Sequence, residues 1–320
     1  MRTRASAPGK IIVCGEHAVV YDQPAIALPL TALQASATIE DHDGGSVCDA
    51  PDIGERWMLD ERSDHPLAQL VLATLRRLGY AEQPSLRITL HSDIPVASGL
   101  GSGAALGAAL VRALALHVQQ PLPPAEVAAL VYESERAYHG TPSGIDNTVV
   151  SYEQPIWFQR GVGGSPTIIE PLKLGTSLDL IIGDTGVRAP TYMTVGGVRE
   201  RWQRDPIYYE SLFDQIGTTV RSVRDALATG QITVLGDLLN QNQALLRKLG
   251  VSSPELEHLI GAALDAGALG AKLSGGGGGG VMLALVDAST NAAVERALHT
   301  AGAARVLATT VASGASDNRI

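Results

Sequence analysis

The sequence predicts a protein of two domains in which helices and strands are mixed. The chain has 320 residues, which is longer than most single domains. Alternating apolar residues, typical of strands, recur along the chain, and so do apolar residues at helical spacing. Short strand-like segments at 155–159 and 167–172 are followed by a strongly apolar strand at 177–184, which favours a domain boundary near residues 165–175. We therefore expect one domain over residues 1–170 and a second over residues 171–320.

Composition excludes several classes of partner. Charged residues make up 18% of the chain and the net charge is −9, so no broad positive field is available for a nucleic-acid backbone or an anionic membrane. Apolar content of 45% is typical of a globular protein with a sizeable core. A small-molecule ligand is the expected partner.

The cysteines and the N-terminus indicate the compartment. Cys14 and Cys48 do not have the spacing of a disulfide framework or a zinc site. The apolar run Ile11 to Cys14 is too short for the core of a signal peptide, and no segment reaches membrane-spanning length. These observations predict a cytoplasmic protein that binds no membrane.

The first part of the chain alternates between strand and helix patterns. Residues 9–40 indicate strands with a turn at 22–24, and residues 41–63 indicate a surface excursion. Leucines and a valine at helical spacing predict a helix over 66–79, which ends at a glycine. The alternating residues of 84–92 predict the next strand.

The stretch IPVASGLGSGAALG, residues 94–107, is the strongest local signal for a ligand. Glycines at 99, 101 and 103 let the backbone approach a ligand closely and direct its N–H groups into one concavity. A helix is expected from about Ala104, and its N-terminus favours an anion. Taken alone, such a motif is also compatible with a glycine-rich turn that binds nothing.

Two carboxylates follow this loop. A helix predicted over 123–138 carries Glu135 on the same stripe as Val127 and Val131, where a carboxylate needs a cation or a metal ion. The alternative for Glu135 is an ion pair with Arg136 or another cation. Asp146 lies in the turn-like segment HGTPSGIDN ahead of a β-branched run. It is either a capping residue or the acceptor of a hydroxyl proton close to a bound nucleotide.

The remainder of the chain is mostly helical. Four helices are predicted, at 193–202, 208–229, 234–249 and 253–266. The segment KLSGGGGGGVMLALV, residues 272–286, carries six consecutive glycines between apolar segments, which favours a tight loop packed against a ligand or another backbone. A helix over 289–300 and a strand over 305–311 complete the pattern.

Three segments together resemble the motifs of the GHMP small-molecule kinases, and of the mevalonate kinase family in particular. They are PGKIIVCGEHAVVYDQPAIALPL, IPVASGLGSGAA and KLSGGGGGG, and they occur in the family's order and spacing. The blocks ERAYHGTPSGIDN and NQNQALLRKLGVSSPELEHL are also similar to that family. The resemblance implies an α+β fold of two domains: an N-terminal domain with a left-handed βαβ unit and a ferredoxin-like C-terminal domain.

The resemblance also implies an activity, which is transfer of the γ-phosphate of ATP, with Mg²⁺, to the 5-hydroxyl of mevalonate. Asp146 matches the catalytic aspartate, Lys10 the lysine beside it, and Glu135 the magnesium ligand. Glu16 and His17 match positions that line the substrate pocket. The two glycine motifs supply further expected contacts: the nucleotide loop, Ser98, Gly99, Leu100, Gly101, Ser102, Gly103 and Ala104, and the substrate-side residues Ser274, Gly275 and Gly276.

One position departs from the family's usual GLGSSAA, because Gly103 replaces the serine associated with the metal. Magnesium would then depend on Glu135, with Ser102 as a second candidate ligand. Without the resemblance, Lys10 would be read as a solvated lysine at the end of a strand and His17 as a core histidine. Three functions stay open: mevalonate kinase, another GHMP kinase acting on phosphomevalonate or a related alcohol, and a non-catalytic sensor with the same fold.

The substrate carboxylate requires a cation, because an unpaired carboxylate in a cleft is costly to bury. Arg160 is the candidate, since it follows the strand-like segment PIWFQ that leads away from Asp146. The alternative is that Arg160 is a surface residue, in which case Arg188 is tested next. The sequence leaves a homodimer open beside a monomer.

Overall fold

The structure is a computed structural model, and it describes residues 1–59, 64–80, 84–96, 98–139, 143–161, 165–189 and 191–313. Residues 140–142 of the HGTPSGIDN segment and Ala97 of the first glycine loop lie outside the described residues. None of the helices in the described part is long and apolar enough to span a membrane.

The N-terminal half forms a seven-stranded sheet. Its strands are β1 (Arg2–Cys14), β2 (Ala25–Asp41), β3 (Val47–Ala50), β4 (Glu55–Met58), β5 (Leu86–Ser92), β6 (Ile156–Gln159) and β7 (Ile168–Pro171). The order is β4-β3-β5-β2-β6-β7, with β1 paired to β2 along most of its length. The β3–β5 pair is parallel and the other pairs are antiparallel. The excursion predicted at 41–63 therefore contains two short strands of this sheet.

Four helices accompany this sheet: α1 (Pro66–Arg77), α2 (Ser102–His117), α3 (Pro124–His139) and α4 (Ile145–Tyr152). Helix α2 contacts β1 and β2 directly. Its buried face is rich in alanine, at residues 104, 105, 108 and 109, which brings its backbone close to the strands. This close packing fixes the N-terminus of α2, and therefore the glycine loop, relative to β1.

Helix α4 was not predicted. The sequence around Asp146 indicates a turn before a β-branched run, whereas the structure places Asp146 in the first turn of a helix. The β-branched residues 148–150 are buried there. Asn147 donates a hydrogen bond to the Ala128 carbonyl of α3, at 3.0 Å. Tertiary packing thus overrides the local preference of these residues.

The C-terminal half forms a four-stranded antiparallel sheet. Its strands are β8 (Leu178–Asp184), β9 (Gly270–Ser274), β10 (Val281–Val286) and β11 (Arg305–Val311), in the order β11-β8-β10-β9. This order, with helices in the β8–β9 and β10–β11 connections, is the ferredoxin-like arrangement that the resemblance implies. The change from the first sheet to the second falls between Pro171 and Leu178, and the division at 170/171 itself stays a prediction.

The C-terminal helices match the predicted segments closely. They are α5 (Thr191–Arg204), α6 (Pro206–Thr229), α7 (Ile232–Lys248), α8 (Pro254–Asp265) and α9 (Asn291–Thr300). Polar caps explain two of the starts: Asp205 accepts from the Tyr208 N–H at 3.2 Å, and Ser253 from the Leu256 N–H at 3.4 Å. Helix α6 contacts β1 and β2, so it joins the two domains.

Candidate active site

A cavity of about 280 Å³ lies where elements of both domains meet. Its charged lining residues are Lys10, Glu16, Glu135, Asp146 and Arg199, and its further lining includes His17, Gly99, Tyr192, Gly275 and Gly276. Residues that are far apart in the sequence, and that the resemblance singled out, are therefore brought to one place. An enclosed cavity with convergent charges is the expected form of a small-molecule site.

A larger groove of about 600 Å³ borders β1, β2 and β5, but its polar groups satisfy one another. The Arg4 guanidinium donates to the Ser36 hydroxyl at 3.2 Å, and the His91 ring contacts the Asp52 carboxylate at 3.4 Å. The smaller cavity, which holds the convergent carboxylates and lysine, is the candidate active site.

The central contact of the site is an ion pair between Lys10 of β1 and Asp146 of α4. The Lys10 Nζ atom lies 2.8 Å from Asp146 Oδ1. The lysine side chain is 3% exposed and the aspartate side chain 36% exposed. A buried cation held against a half-exposed carboxylate leaves one partner accessible to a ligand. Lys10 is therefore not the solvated strand-end residue of the alternative interpretation.

Gly101 makes the path of Lys10 possible. A Cβ atom built at residue 101 would lie 2.8 Å from the Lys10 Cγ atom, which is closer than such contacts allow. The residue also has φ +76°, a left-handed conformation that favours glycine. The Lys10 N–H donates to the Leu100 carbonyl at 2.9 Å, which ties β1 to the loop. The lysine stem thus crosses the loop at the position that has no side chain.

The loop leads into a helix N-terminus that no side chain caps, and Gly99 of the loop lines the cavity. Gly101 is the N-cap of α2, and no side chain caps the helix there. Ser102, Gly103 and Ala104 form the first turn. The Ser98 hydroxyl donates to the Pro95 carbonyl at 2.8 Å, so it supports the loop from inside. An anion held by these N–H groups and the helix dipole fits this geometry.

The second glycine motif packs against the first. A Cβ atom built at Gly275 would lie 3.8 Å from the Gly99 Cα atom, and one at Gly280 would lie 3.0 Å from the Ser98 carbonyl oxygen. Further along the same turn, a Cβ at Gly277 would collide with the Val251 carbonyl oxygen at 2.1 Å. The structure therefore contains a tight loop packed against other backbone, as the six consecutive glycines predict.

Glu135 projects from α3 into the same cavity. Burial and, second to it, the nearby Asp146 carboxylate raise the pKa of Glu135 to about 7, against the opposing effect of Lys10. A divalent cation relieves the repulsion between two like charges in one pocket, and carboxylate oxygens are the ligands that Mg²⁺ prefers. The donor set therefore fits magnesium, with Glu135 as the residue that would hold it.

Gly103 is next to this carboxylate. A Cβ atom built at residue 103 would lie 3.2 Å from Glu135 Oε1. A serine at this position would thus place its hydroxyl beside Glu135, which is where a metal-associated serine belongs. Ser102, the neighbouring candidate, opens α2 and is half-buried.

The raised pKa of Glu135 predicts a pH-dependent magnesium requirement. Because a proton competes with the cation for the carboxylate, the concentration of Mg²⁺ that gives half-maximal rate should rise as the pH falls below about 7. Glu135→Gln should raise the requirement at all pH values and abolish this dependence, since the amide does not titrate. Magnesium titrations at several pH values check both outcomes. An unchanged requirement in the variant would favour an ion-pair role for Glu135.

Glu16 and His17 also line the cavity. The His17 Nε2 atom lies 2.9 Å from the Gly276 carbonyl oxygen, so Nε2 carries the proton and Nδ1 is an acceptor. Burial lowers the pKa of His17 to about 4, so the ring is neutral at neutral pH. His17 has φ 60°, which is unusual for a residue other than glycine and typical of functional sites.

Ser274 connects the two domains. Its hydroxyl accepts from the Ile12 N–H and donates to the Ile12 carbonyl, both at 3.0 Å, which ties β9 to β1. Gly275 and Gly276 are among the lining residues of the cavity and Ser274 is not. The substrate contact expected of Ser274 stays a prediction.

The arginines near the cavity differ in how readily each could bind a substrate carboxylate. The Arg188 guanidinium forms two hydrogen bonds with the Asp184 carboxylate, at 2.7 and 2.9 Å. Arg160 lies one residue beyond β6, is half-buried, and is outside the lining residues. Arg199 of α5 lines the cavity. Sequence reasoning missed Arg199, although its helix was predicted.

Lys272 is the second residue that sequence reasoning missed. Its side chain is fully buried and forms an ion pair with Glu16. The signal was present in the motif KLSGGGGGG, where a lysine stands between apolar residues of a strand that buries all of its positions. A lysine in such a strand requires an anionic partner.

Comparison with known proteins agrees with this geometry. Residues 67–154 match the family model of the GHMP kinases N terminal domain, and residues 223–304 match that of the GHMP kinases C terminal domain. The mevalonate kinases of Thermococcus sibiricus and Pyrococcus horikoshii are 35% and 34% identical to this chain, over 89% and 88% of both sequences. The crystal structure of L. major mevalonate kinase in complex with R-mevalonate superposes with a TM-score of 0.84 at 29% identity, covering 98% of this chain and 97% of the other. The chain therefore belongs to the mevalonate kinase family of the GHMP kinases.

Proposed function

We propose that this protein transfers the γ-phosphoryl group of ATP to the 5-hydroxyl of mevalonate. The observation that carries the proposal is the Lys10–Asp146 ion pair, which lies in a cavity lined by residues of both glycine motifs, Gly99, Gly275 and Gly276. The names of the relatives support mevalonate as the substrate. An accessible carboxylate beside a phosphate-binding loop is the arrangement that phosphoryl transfer to an alcohol requires.

The reaction follows from the positions of these groups. The substrate oxygen bonds to the γ-phosphorus, the bond to the bridging oxygen breaks, and its electron pair leaves with ADP. Asp146 accepts the hydroxyl proton during the attack. Lys10 holds this carboxylate in place through the ion pair and offsets negative charge on the transferring group. When bound, magnesium neutralises part of the phosphate charge, and Glu135 would hold it.

A panel of alcohols tests the proposal against the other functions. In an ADP-release assay with ATP and Mg²⁺, we expect saturable turnover with mevalonate and none with phosphomevalonate or galactose. Turnover with phosphomevalonate alone would identify a different GHMP kinase. Binding of ATP and mevalonate without ADP release would identify a sensor, which Gly103 alone favours.

We propose Arg160 as the anchor of the substrate carboxylate. Phe158 of β6 packs near Gly144, since a Cβ at residue 144 would lie 3.3 Å from its ring. Gly144 lines the cavity, and Arg160, one residue past the end of β6, would lie on the same side as Phe158 if the alternation of the strand continued to it. Arg188 is committed to Asp184, which leaves Arg199 as the competing residue.

Two matched variants decide between these arginines. Arg160→Met should raise KM for mevalonate about tenfold to a hundredfold and leave KM for ATP unchanged, because a charge-assisted contact is lost on one substrate only. Arg199→Met should have the smaller effect on KM for mevalonate. The reverse ranking in steady-state kinetics would assign the carboxylate to Arg199. The homodimer and the cytoplasmic location stay predictions from the sequence.

A further inference from the structure

The ion pair between Glu16 and Lys272 lies behind the cavity and is fully buried. The side chain of Lys272 is 0% exposed and that of Glu16 is 1% exposed. The Lys272 Nζ atom donates to Glu16 Oε1 and also to the Leu273 carbonyl oxygen, the latter at 2.5 Å. Glu16 follows β1 of the N-terminal domain, whereas Lys272 belongs to β9 of the C-terminal domain.

Stability does not account for this pair. Removing two charges from water costs more free energy than their attraction usually returns, so buried pairs of this kind are often no more stabilising than apolar residues of similar size. Apart from Lys272, strand β9 consists of small or apolar residues that are all buried, so it could accommodate an apolar side chain at position 272. A role in positioning Glu16 explains the pair better.

The second carboxylate oxygen of Glu16 lacks a partner. Among the described residues, Glu16 Oε2 and His17 Nδ1 are buried acceptors without a hydrogen-bond donor. Both residues line the cavity that holds Lys10 and Asp146. Buried acceptors of this kind are usually satisfied, so a ligand with a hydroxyl donor fits the position. A substrate with a second hydroxyl, besides the one that reacts at Asp146, has such a donor.

We propose that Lys272 is a positioning residue, which holds one oxygen of Glu16 so that the other accepts a hydrogen bond from the non-reacting hydroxyl of the substrate. The proposal rests on the proposed function, since it takes the 3-hydroxyl of mevalonate as the donor. Lys272 itself makes no contact with the substrate. Because the two residues belong to different domains, Glu16 is oriented only when the domains are docked.

The charges around Glu16 explain why the lysine is needed. Burial raises the pKa of Glu16, and the Lys272 ammonium is the main group that opposes this rise, with Lys10 contributing less. The other titratable neighbours are Cys14, whose thiol pKa burial raises, and His17, which is neutral. Without Lys272 the neutral form of the Glu16 carboxyl is favoured further, and a neutral carboxyl is a weaker acceptor for a hydroxyl hydrogen than a carboxylate.

Substrate kinetics of Lys272→Met test the proposal. We expect KM for mevalonate to rise about tenfold to a hundredfold at neutral pH while KM for ATP stays within about twofold. In this variant KM for mevalonate should fall as the pH rises, because Glu16 regains its charge above its raised pKa. A merely structural role would not produce this pH dependence.

A double variant keeps the test valid if the single variant does not fold. Lys272→Met with Glu16→Gln removes both charges, so it should retain the thermal midpoint of the parent protein and still show the raised KM for mevalonate, now independent of pH. A folded double variant with the parental KM would overturn the proposal.

The matched control is Arg224→Met, which breaks the ion pair between Arg224 of α6 and Glu170 of β7 and so also removes a contact between the two domains. The charged atoms of this pair lie 2.6 Å apart, and both side chains are half-exposed. It should leave both KM values within about twofold, since this ion pair is remote from the active site.

The activity of the parent protein distinguishes failure of the positioning role from failure of the proposed function. If it turns over mevalonate and Lys272→Met has the parental KM at every pH, only the positioning role fails; if it does not turn over mevalonate, the proposed function fails as well.

Discussion

Asp146→Asn is expected to lower kcat by about 10²–10⁴ while the protein still folds and binds ATP. Asparagine keeps the shape of the side chain, but its amide does not accept the hydroxyl proton. The variant also leaves the Lys10 ammonium, which is 3% exposed, without its counterion. Single-turnover rates and ATP titration by calorimetry measure the two effects separately.

A smaller effect would change the account of Asp146. If kcat of Asp146→Asn stays within a few-fold of the parent, the carboxylate is not the proton acceptor and its main role is to fix Lys10. Loss of ATP binding in the same variant would instead show that the ion pair supports the nucleotide loop.

Gly101→Ala is expected to lower kcat about a hundredfold, because the new methyl group displaces the Lys10 stem and misplaces its ammonium. The added Cβ would lie 2.8 Å from Lys10 Cγ, an atom too close to the backbone to move aside easily. Backbone strain at φ +76° adds a loss of stability of about 1 kcal/mol.

Gly302→Ala is the matched control for Gly101→Ala. Gly302 has φ +84°, and a Cβ built there meets nothing within 4 Å. It should therefore lose a similar amount of stability in thermal unfolding and retain the parental kcat. Equal kcat values for the two variants would show that the collision with Lys10 does not matter for catalysis.

The sequence predicted most of the helices and the final strand, because their signals are local. Pro206 and Pro254 open α6 and α8 one residue after polar caps, and apolar residues at helical spacing continue each helix. Helix α4 was missed for a tertiary reason. Its β-branched residues favour a strand locally, and the helix is held by packing and by the bond from Asn147 to α3.

The candidate site was predicted in its motifs but not in its contacts. The residues of the Lys10–Asp146 pair are separated by more than a hundred positions, and only the family resemblance brought them together. Gly101 was predicted to let the loop backbone approach a ligand, whereas its contact with Lys10 depends on the path of the lysine side chain. Arg199 was missed because cavity lining is a property of the folded chain, whereas Lys272 was missed although its apolar neighbours in the strand were a signal in the sequence.

The identity of the phosphorylated product tests the central claim most directly. After incubation with ATP, Mg²⁺ and mevalonate, the product is examined by phosphorus NMR. We expect ADP together with a new phosphomonoester signal that is split by the methylene hydrogens of C5. A phosphomonoester signal without that splitting, which indicates the tertiary 3-hydroxyl, or ADP without any new phosphomonoester, would contradict the assignment of this site to the 5-hydroxyl of mevalonate.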